Sequence, residues 1–300
     1  MSCIRCCLSR FAKRGRTVKV VKLTGDPVKL NDLGTVPKRK VEKPRDKIDN
    51  LQLQLLRSQQ ALFRSGKRVI IIMEGTDTAG KGGVIRRLTR HLDPRGVRVW
   101  PIGAPADWEQ SRHYLYRFWQ KLPEPGEITV FDRSWYGRVL VERVEGFAKK
   151  EEWSRAYREL QEFERQLTDD GVVLIKLFLN LSKDEQYERF MGRLREPTKR
   201  WKITPADLDS RRFWADYQCA YEDMLNKTAT ESAPWYVIPA DDKQFARVKC
   251  LSIISDLLQQ VVDSKRVMLL DPKVIAKVIE EFGEGVLRVQ LVEELDGKSD

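Results

Sequence analysis

Eight residues constrain this chain more than any others: Gly75-Thr76-Asp77-Thr78-Ala79-Gly80-Lys81-Gly82. They follow the Ile-rich run 68–74 (RVIIIME) and precede a helical stretch at about 81–91. A short run that is apolar on both faces fits a strand covered on both sides, the habit of parallel sheets. G-x-x-x-x-G-K between a strand and a helix is the pattern of a phosphate-binding loop. Its glycines let successive backbone N–H groups turn toward one anion, and the helix behind adds its positive end. Lys81 supplies a point charge to phosphate oxygens. Gly75, Thr78, Ala79, Gly80 and Gly82 are therefore assigned to phosphate or nucleotide binding, and Lys81 to the reacting phosphate.

The same alternation continues down the chain. Strand patterns occupy 97–102, 127–131, 172–180 and 235–239, and helical patterns occupy 46–65, 107–121, 150–169 and 241–262. Two further helices open at Ser182, with Glu185 completing a capping box, and at Thr204-Pro205, with Asp207 completing another. Strands alternating with helices predict an α/β fold. The expectation is a three-layer α/β/α domain over 45–262 with a five-stranded parallel sheet. Residues 1–44 read as a basic, flexible arm. Residues 263–300 read as an appendage with a helical pattern at 272–282 and a strand-like 286–292.

Composition sets the class. The chain has 300 residues, 41% of them hydrophobic and 33% charged, enough apolar surface for a core. It has no run long and apolar enough to span a membrane and no signal-like start, so a cytoplasmic protein is expected. The net charge of +11 is localised: residues 1–45 hold 13 Lys and Arg against 3 Asp and Glu. The body is nearly balanced, so the high pI says little about its ligand. Cys3, Cys6, Cys7, Cys219 and Cys250 form no disulfide ladder, which suits a reducing compartment. Cys3, Cys6 and Cys7 lack the second ligand pair of a structural zinc site.

Two residues depart from the ordinary nucleotidase loop. Gly82 stands where a Ser or Thr would hold Mg²⁺, and Asp77 lies inside the loop. A carboxylate beside phosphates either ligates the metal, orients an acceptor, or caps its own loop. The third strand ends in Asp132, which matches the second metal-holding element of such folds, and Arg133 follows it. The set Asp77, Lys81, Asp132 and Arg133 is the expected reaction centre, with Asp77 and Asp132 as metal ligands. Arg138, Glu142 and Arg143 follow around Trp135 and Tyr136. They read as phosphate contacts or as helix-surface ion pairs, and the two aromatics as core or as a base platform. Finally, 189–202 (RFMGRLREPTKRWK) sets six cations against Glu196 and the preceding Glu188. Arg189 and Arg193 share a helical face, and Pro197 breaks the helix. This is where phosphate-transferring kinases carry a lid, here about 183–210, and Arg189, Arg193, Lys199 and Lys202 are its expected anion contacts. Six cations suit an anion with more charge than one nucleotide.

The set EGTDTAGKGG, FDRSWY, FERQL, LSKDEQYERF, PTKRWK, WADY and APWY resembles the polyphosphate kinase 2 family from about Lys47 to Gln260. The resemblance implies a P-loop kinase fold with a helical lid. It also implies phosphoryl transfer between inorganic polyphosphate and nucleoside di- or monophosphates with Mg²⁺ (Mn²⁺ as a substitute), and a homotetramer. By it, Asp77 and Asp132 are the paired acids, Lys81 and Arg133 hold phosphates, and Arg193, Lys199 and Lys202 meet the polyphosphate chain. No nucleic-acid partner is implied. The segment from Trp135 to Val144 mixes two patterns seen among relatives, which leaves ADP and AMP both open as acceptors. An ATP-dependent nucleoside monophosphate kinase and a non-catalytic polyanion-binding protein are the competing readings.

Overall fold

The computed structural model describes residues 17–18, 20–262 and 272–283. All five expected strands form: β4 (Arg68–Gly75), β5 (Val97–Pro101), β6 (Ile128–Asp132), β7 (Val172–Asn180) and β8 (Trp235–Pro239). They are parallel in the order β8-β7-β4-β6-β5. A sixth strand, β2 (Val21–Leu23), adds to β8 antiparallel, with Val21 opposite Val237. Two short strands, β1 (Thr17–Val18) and β3 (Val36–Pro37), pair with each other.

The position of β2 corrects, for residues 20–44, the reading of 1–44 as a flexible arm. Leu23, Leu30 and Leu33 are buried. The backbone N–H groups of Val28 and Leu30 donate to Asn226 and Glu222, and Asn180 donates to the carbonyl of Gly34. The Pro and Gly residues of this stretch make it extended, but extended along the domain rather than away from it. Cys3, Cys6, Cys7 and the strand-like 286–292 lie outside the described residues.

The helices are α1 (Pro44–Ser65), α2 (Lys81–Leu88), α3 (Asp107–Gln110), α4 (Tyr116–Trp119), α5 (Val141–Val144) and α6 (Lys150–Asp169), followed by α7 (Lys183–Arg195), α8 (Pro205–Arg212), α9 (Trp214–Thr228), α10 (Lys243–Val261) and α11 (Pro272–Phe282). None is long and apolar enough to cross a membrane among the described residues. Alternation along β4 decides the layers. Val69, Ile71 and Met73 join a core with Leu55 and Leu62 of α1, Val84 of α2, and Leu251 and Ile254 of α10. Ile70 and Ile72 join the opposite core with Leu160 and Phe163 of α6 and Met224 of α9. The sheet is thus covered on both faces, as its uninterrupted apolar strands require.

Local chemistry departs from expectation in two places. The stretch 107–121 splits into α3 and α4: Glu109 accepts from the N–H of Ala106 at the start of α3, and the chain turns after Gln110. Ser182 caps α7 by accepting from the N–H of Glu185, but Glu185 does not reciprocate. Its carboxylate pairs with Arg189, and the N–H of Ser182 goes to Asp241. The box at Thr204 and Asp207 is complete.

One ionic pair sits in the core. Lys176, fully buried in the middle of β7, donates to Glu164 at 2.7 Å and to the carbonyl of Thr228 at 2.8 Å. Burial pulls the Lys176 ammonium below its ordinary pKa, and Glu164 opposes that shift. The other oxygen of Glu164 accepts from Trp135 Nε1 and from the Tyr136 hydroxyl. Trp135 and Tyr136 are therefore core, not a base platform.

Two stability tests follow from this architecture. Leu23→Ala should cost about 2–3 kcal/mol in urea unfolding, whereas a dangling arm would tolerate it. Glu164→Leu should cost about 3–5 kcal/mol by stranding a buried ammonium, and adding Lys176→Met should recover part of that loss.

Candidate active site

The phosphate loop is built where β4 runs out against β7. Gly75 has φ +137°, and a Cβ there would lie 2.5 Å from the carbonyl oxygen of Leu179 on the neighbouring strand. Only glycine fits. Gly80, with φ +111°, then turns the chain into α2. Lys81 folds back over the loop, and its ammonium donates to the carbonyls of Gly75 (2.6 Å) and Thr76 (3.3 Å).

Arg189 lines the smaller cleft beside the loop with Arg193, Lys199 and Lys202, but its guanidinium is buried and committed to backbone carbonyls. It donates to the carbonyls of Thr78 (3.0 Å) and Ala79 (2.9 Å), to those of Ala240 (2.6 Å) and Asp241 (3.1 Å), and to Glu185 (2.7 Å). Every one of its five N–H donors is used. Spacing places Arg189 on the face of Arg193, but what that face meets is settled by the fold.

The acids converge as expected. Met73 of β4 pairs with Asp132 of β6, so Asp132 ends beside the loop. Arg133 adopts a left-handed backbone (φ +64°), with its N–H on the carbonyl of Met73. That turn brings its guanidinium to Asp77 Oδ1 at 2.8 Å. Ser210 of α8 donates to Asp77 Oδ2 at 2.9 Å. Burial alone would raise the Asp77 carboxyl, but Lys81, Arg133 and these hydrogen bonds outweigh it and hold the group below its ordinary value. Asp77 therefore does not merely cap its own loop.

Glu74 is a residue that motif reading passes over. It is buried beside Gly75, accepts a hydrogen bond from the Ser134 hydroxyl at 2.9 Å, and is pushed upward by burial despite Lys81. An acid at the end of an otherwise apolar strand was the available signal.

The donor set fits a hard divalent cation. The Asp132 carboxylate makes no hydrogen bond or ion pair among the described residues, and a Cβ at Gly82 would stand 4.0 Å from its Oδ2. The place usually taken by a loop hydroxyl is thus open beside a free carboxylate. Mg²⁺ bound by one or two carboxylates plus substrate phosphates needs no more protein ligands than Asp132 and Asp77. No denser cluster of metal-binding side chains occurs among the described residues.

Two basic clefts flank the loop. A cleft of about 850 Å³ holds Asp77, Lys81, Asp132 and Arg133 on one wall and Arg193, Lys199 and Lys202 on the other. A second, of about 370 Å³, runs from Thr78 to Lys243 and Arg247. Arg86, Lys243 and Arg247 join these walls from α2 and α10, where they look like ordinary helix-surface cations in the sequence. Burial and the neighbouring Arg87 and Arg86 pull the Arg247 guanidinium below its ordinary value, and burial does the same to Arg193. Arg138, Glu142 and Arg143 do not line either cleft. Arg138 pairs with Glu142 at 2.8 Å, and Arg143 binds Asp223 and the Tyr157 hydroxyl, both at 2.7 Å. The ion-pair reading of this segment is the one its geometry supports.

The model of Polyphosphate kinase 2 (PPK2) matches residues 38–266 of this sequence. The chain belongs to the polyphosphate kinase 2 family. It is 50% identical to the polyphosphate:AMP phosphotransferase of Pseudomonas syringae pv. tomato over 192 residues, covering 64% of this chain and 39% of that one. It is 46% identical to the ADP-polyphosphate phosphotransferase of Pseudomonas aeruginosa over 211 residues, covering 70% and 68%. Among solved structures, polyphosphate kinase 2 from Arthrobacter aurescens TC1 superposes with a TM-score of 0.74 at 36% identity, covering 80% of this chain and 88% of that one. The chain thus spans about two fifths of the AMP-named relative and about two thirds of the ADP-named one.

The clamp can be tested apart from charge. Arg189→Lys keeps the cation but loses the planar fork. It should cost about 2–4 kcal/mol in thermal or urea unfolding, since buried carbonyls lose their donors. An exposed lid cation would accept lysine without loss.

Proposed function

We propose that this chain transfers phosphoryl groups between inorganic polyphosphate and a nucleoside di- or monophosphate. The observation that carries this reading is the single cleft in which Asp77, Asp132, Lys81 and Arg133 face three cations of the 183–210 segment. Two carboxylates in a phosphate pocket repel the ligand unless they hold a metal or an acceptor, so a plain polyanion-binding protein is disfavoured. An ATP-dependent kinase would not need the basic lining to continue from this cleft into the adjoining one at Lys243 and Arg247.

In this mechanism the loop amides and Lys81 cradle the transferring phosphate, and Arg133 crosses to it from the end of β6. Asp77, fixed by Arg133 and Ser210, orients the acceptor end. Mg²⁺, held by Asp132 with Asp77, supplies charge neutralisation on the phosphate oxygens when bound. No covalent enzyme intermediate is required, because phosphoryl transfer of this kind is catalysed by positioning and electrostatics. The lid spans α7, the 3₁₀ turn Pro197–Lys202 and α8. It brings Arg193, Lys199 and Lys202 over the donor chain and excludes water. Arg86, Lys243 and Arg247 continue the same positive track. A homotetramer in the cytoplasm, with no nucleic-acid partner, completes the reading.

The decisive assay combines purified protein, Mg²⁺, long-chain polyphosphate and either ADP or AMP. Formation of ATP or ADP supports the reading, and its failure with both acceptors overturns it. Asp132→Asn should lower turnover by more than the roughly 10–100-fold typical of losing an outer-sphere partner of a metal. Lys199→Ala with Lys202→Ala should raise the KM for polyphosphate more than that for nucleotide. Equal rises would remove the lid cations from the donor site.

A further inference from the structure

Nearly everything that lines the larger cleft is charged, polar or backbone. Among the described residues, one aromatic ring reaches it, that of Trp201. Trp201 stands on the 3₁₀ turn Pro197–Lys202, and 76% of it is exposed, more than any other large hydrophobic residue described. A singly exposed apolar side chain needs no explanation by itself, but this indole lines the same cleft as Asp77, Lys81 and Asp132. The ring is also fixed. Its Nε1–H donates to the carbonyl of Thr198 at 3.1 Å, and the Lys202 ammonium lies 5.2 Å from its centroid. Across the same cleft, Pro101 and Ile102 at the end of β5 supply the other apolar lining.

The two substrates of the proposed reaction differ in one chemical respect that matters here. A polyphosphate chain has no apolar surface, and every group it needs is a cation or an amide. A nucleotide carries a flat aromatic base, which needs a stacking surface. The fixed, water-exposed ring has no use for the first and fits the second. We propose that Trp201 is the platform on which the base of the nucleotide substrate stacks when it enters the cleft. This rests on the function proposed above and assigns the two substrates to different parts of one lid: phosphates to Lys199 and Lys202, base to the indole between them. Stacking is sequence-tolerant because every base has a π-face, so the platform favours nucleotides over simple phosphates without choosing strongly among bases.

The test compares the full-length wild-type chain with Trp201→Ala and Trp201→Phe by calorimetric titration. The probes are ADP, AMP, ribose 5-phosphate and inorganic tripolyphosphate. An exposed position should leave the melting temperature unchanged. Trp201→Ala should weaken ADP and AMP by at least about tenfold and leave tripolyphosphate within about twofold, and the preference for AMP over ribose 5-phosphate should shrink in step. Trp201→Phe should restore most of the loss. The inference is overturned if Trp201→Ala binds ADP and AMP like the wild type. It is equally overturned if tripolyphosphate binding falls in the same proportion, which would mean a role in lid closure alone. Because these are binding measurements, a wild type that binds nucleotides but transfers no phosphate would sink the proposed function and still decide the role of Trp201.

Discussion

The loop at the centre of this molecule keeps its shape because one buried guanidinium holds it from below. Carbonyls of a tight turn point away from the anion that its N–H groups serve, so a phosphate loop always leaves acceptors on its underside. Arg189 meets that demand at Thr78 and Ala79, and with its remaining donors binds the turn after β8 and the first part of α7. Three segments that are far apart in the chain thereby share one cation. The arrangement also divides α7. Its first half is anchored to the loop through Arg189, and its second half, with Arg193, belongs to the cleft wall. Any lid movement must therefore pivot beyond Arg189.

Electrostatics explains why such a site tolerates its own composition. Arg193, Arg247 and Arg87 are all pulled below their ordinary pKa values by burial, and Arg247 and Arg87 also by other arginines nearby. Each cation makes the next one less comfortable until an anion arrives. The acids behave oppositely: Asp77 is stabilised as a carboxylate by Lys81 and Arg133. A negatively charged residue and a positive cleft thus coexist, and the charged ligand relieves the repulsion among the cations. The absence of a hydroxyl at Gly82 fits this balance, since Asp132 stands uncommitted next to it.

Much of this was legible in the sequence because it follows from local rules. Most of the parallel strands are predominantly apolar runs, β5 with its Arg98 being the most polar, and the loop is a spacing of glycines and one lysine, so β4 through β8 and the group Asp77, Lys81, Asp132 and Arg133 needed no tertiary information. β2 was hidden, since three residues among lysines, prolines and glycines carry no period of their own and acquire meaning only from Val237 across the sheet. The helical spacing at 107–121 was real, but the chain turns after Gln110 and the stretch divides into two short helices. Arg189 was visible as a cation and invisible as a clamp. Arg86, Lys243 and Arg247 were invisible as a group because α2 and α10, which pack together on one face of the sheet, are far apart in the chain.

The antiparallel pairing of β2 with β8 carries a consequence for how the chain is made. Synthesis delivers Val21 early, but its partner Val237 arrives only after nearly all of the domain has left the ribosome. Until then the segment has nothing to pair with, and closing so long a loop contributes little speed to folding. Within the six-stranded sheet, the strand earliest in the chain can therefore be seated only after the latest one has formed. A nascent chain lacking it still exposes the outer edge of β8, which is the kind of unpaired edge that recruits other chains. In the folded chain, one three-residue strand is what covers that edge.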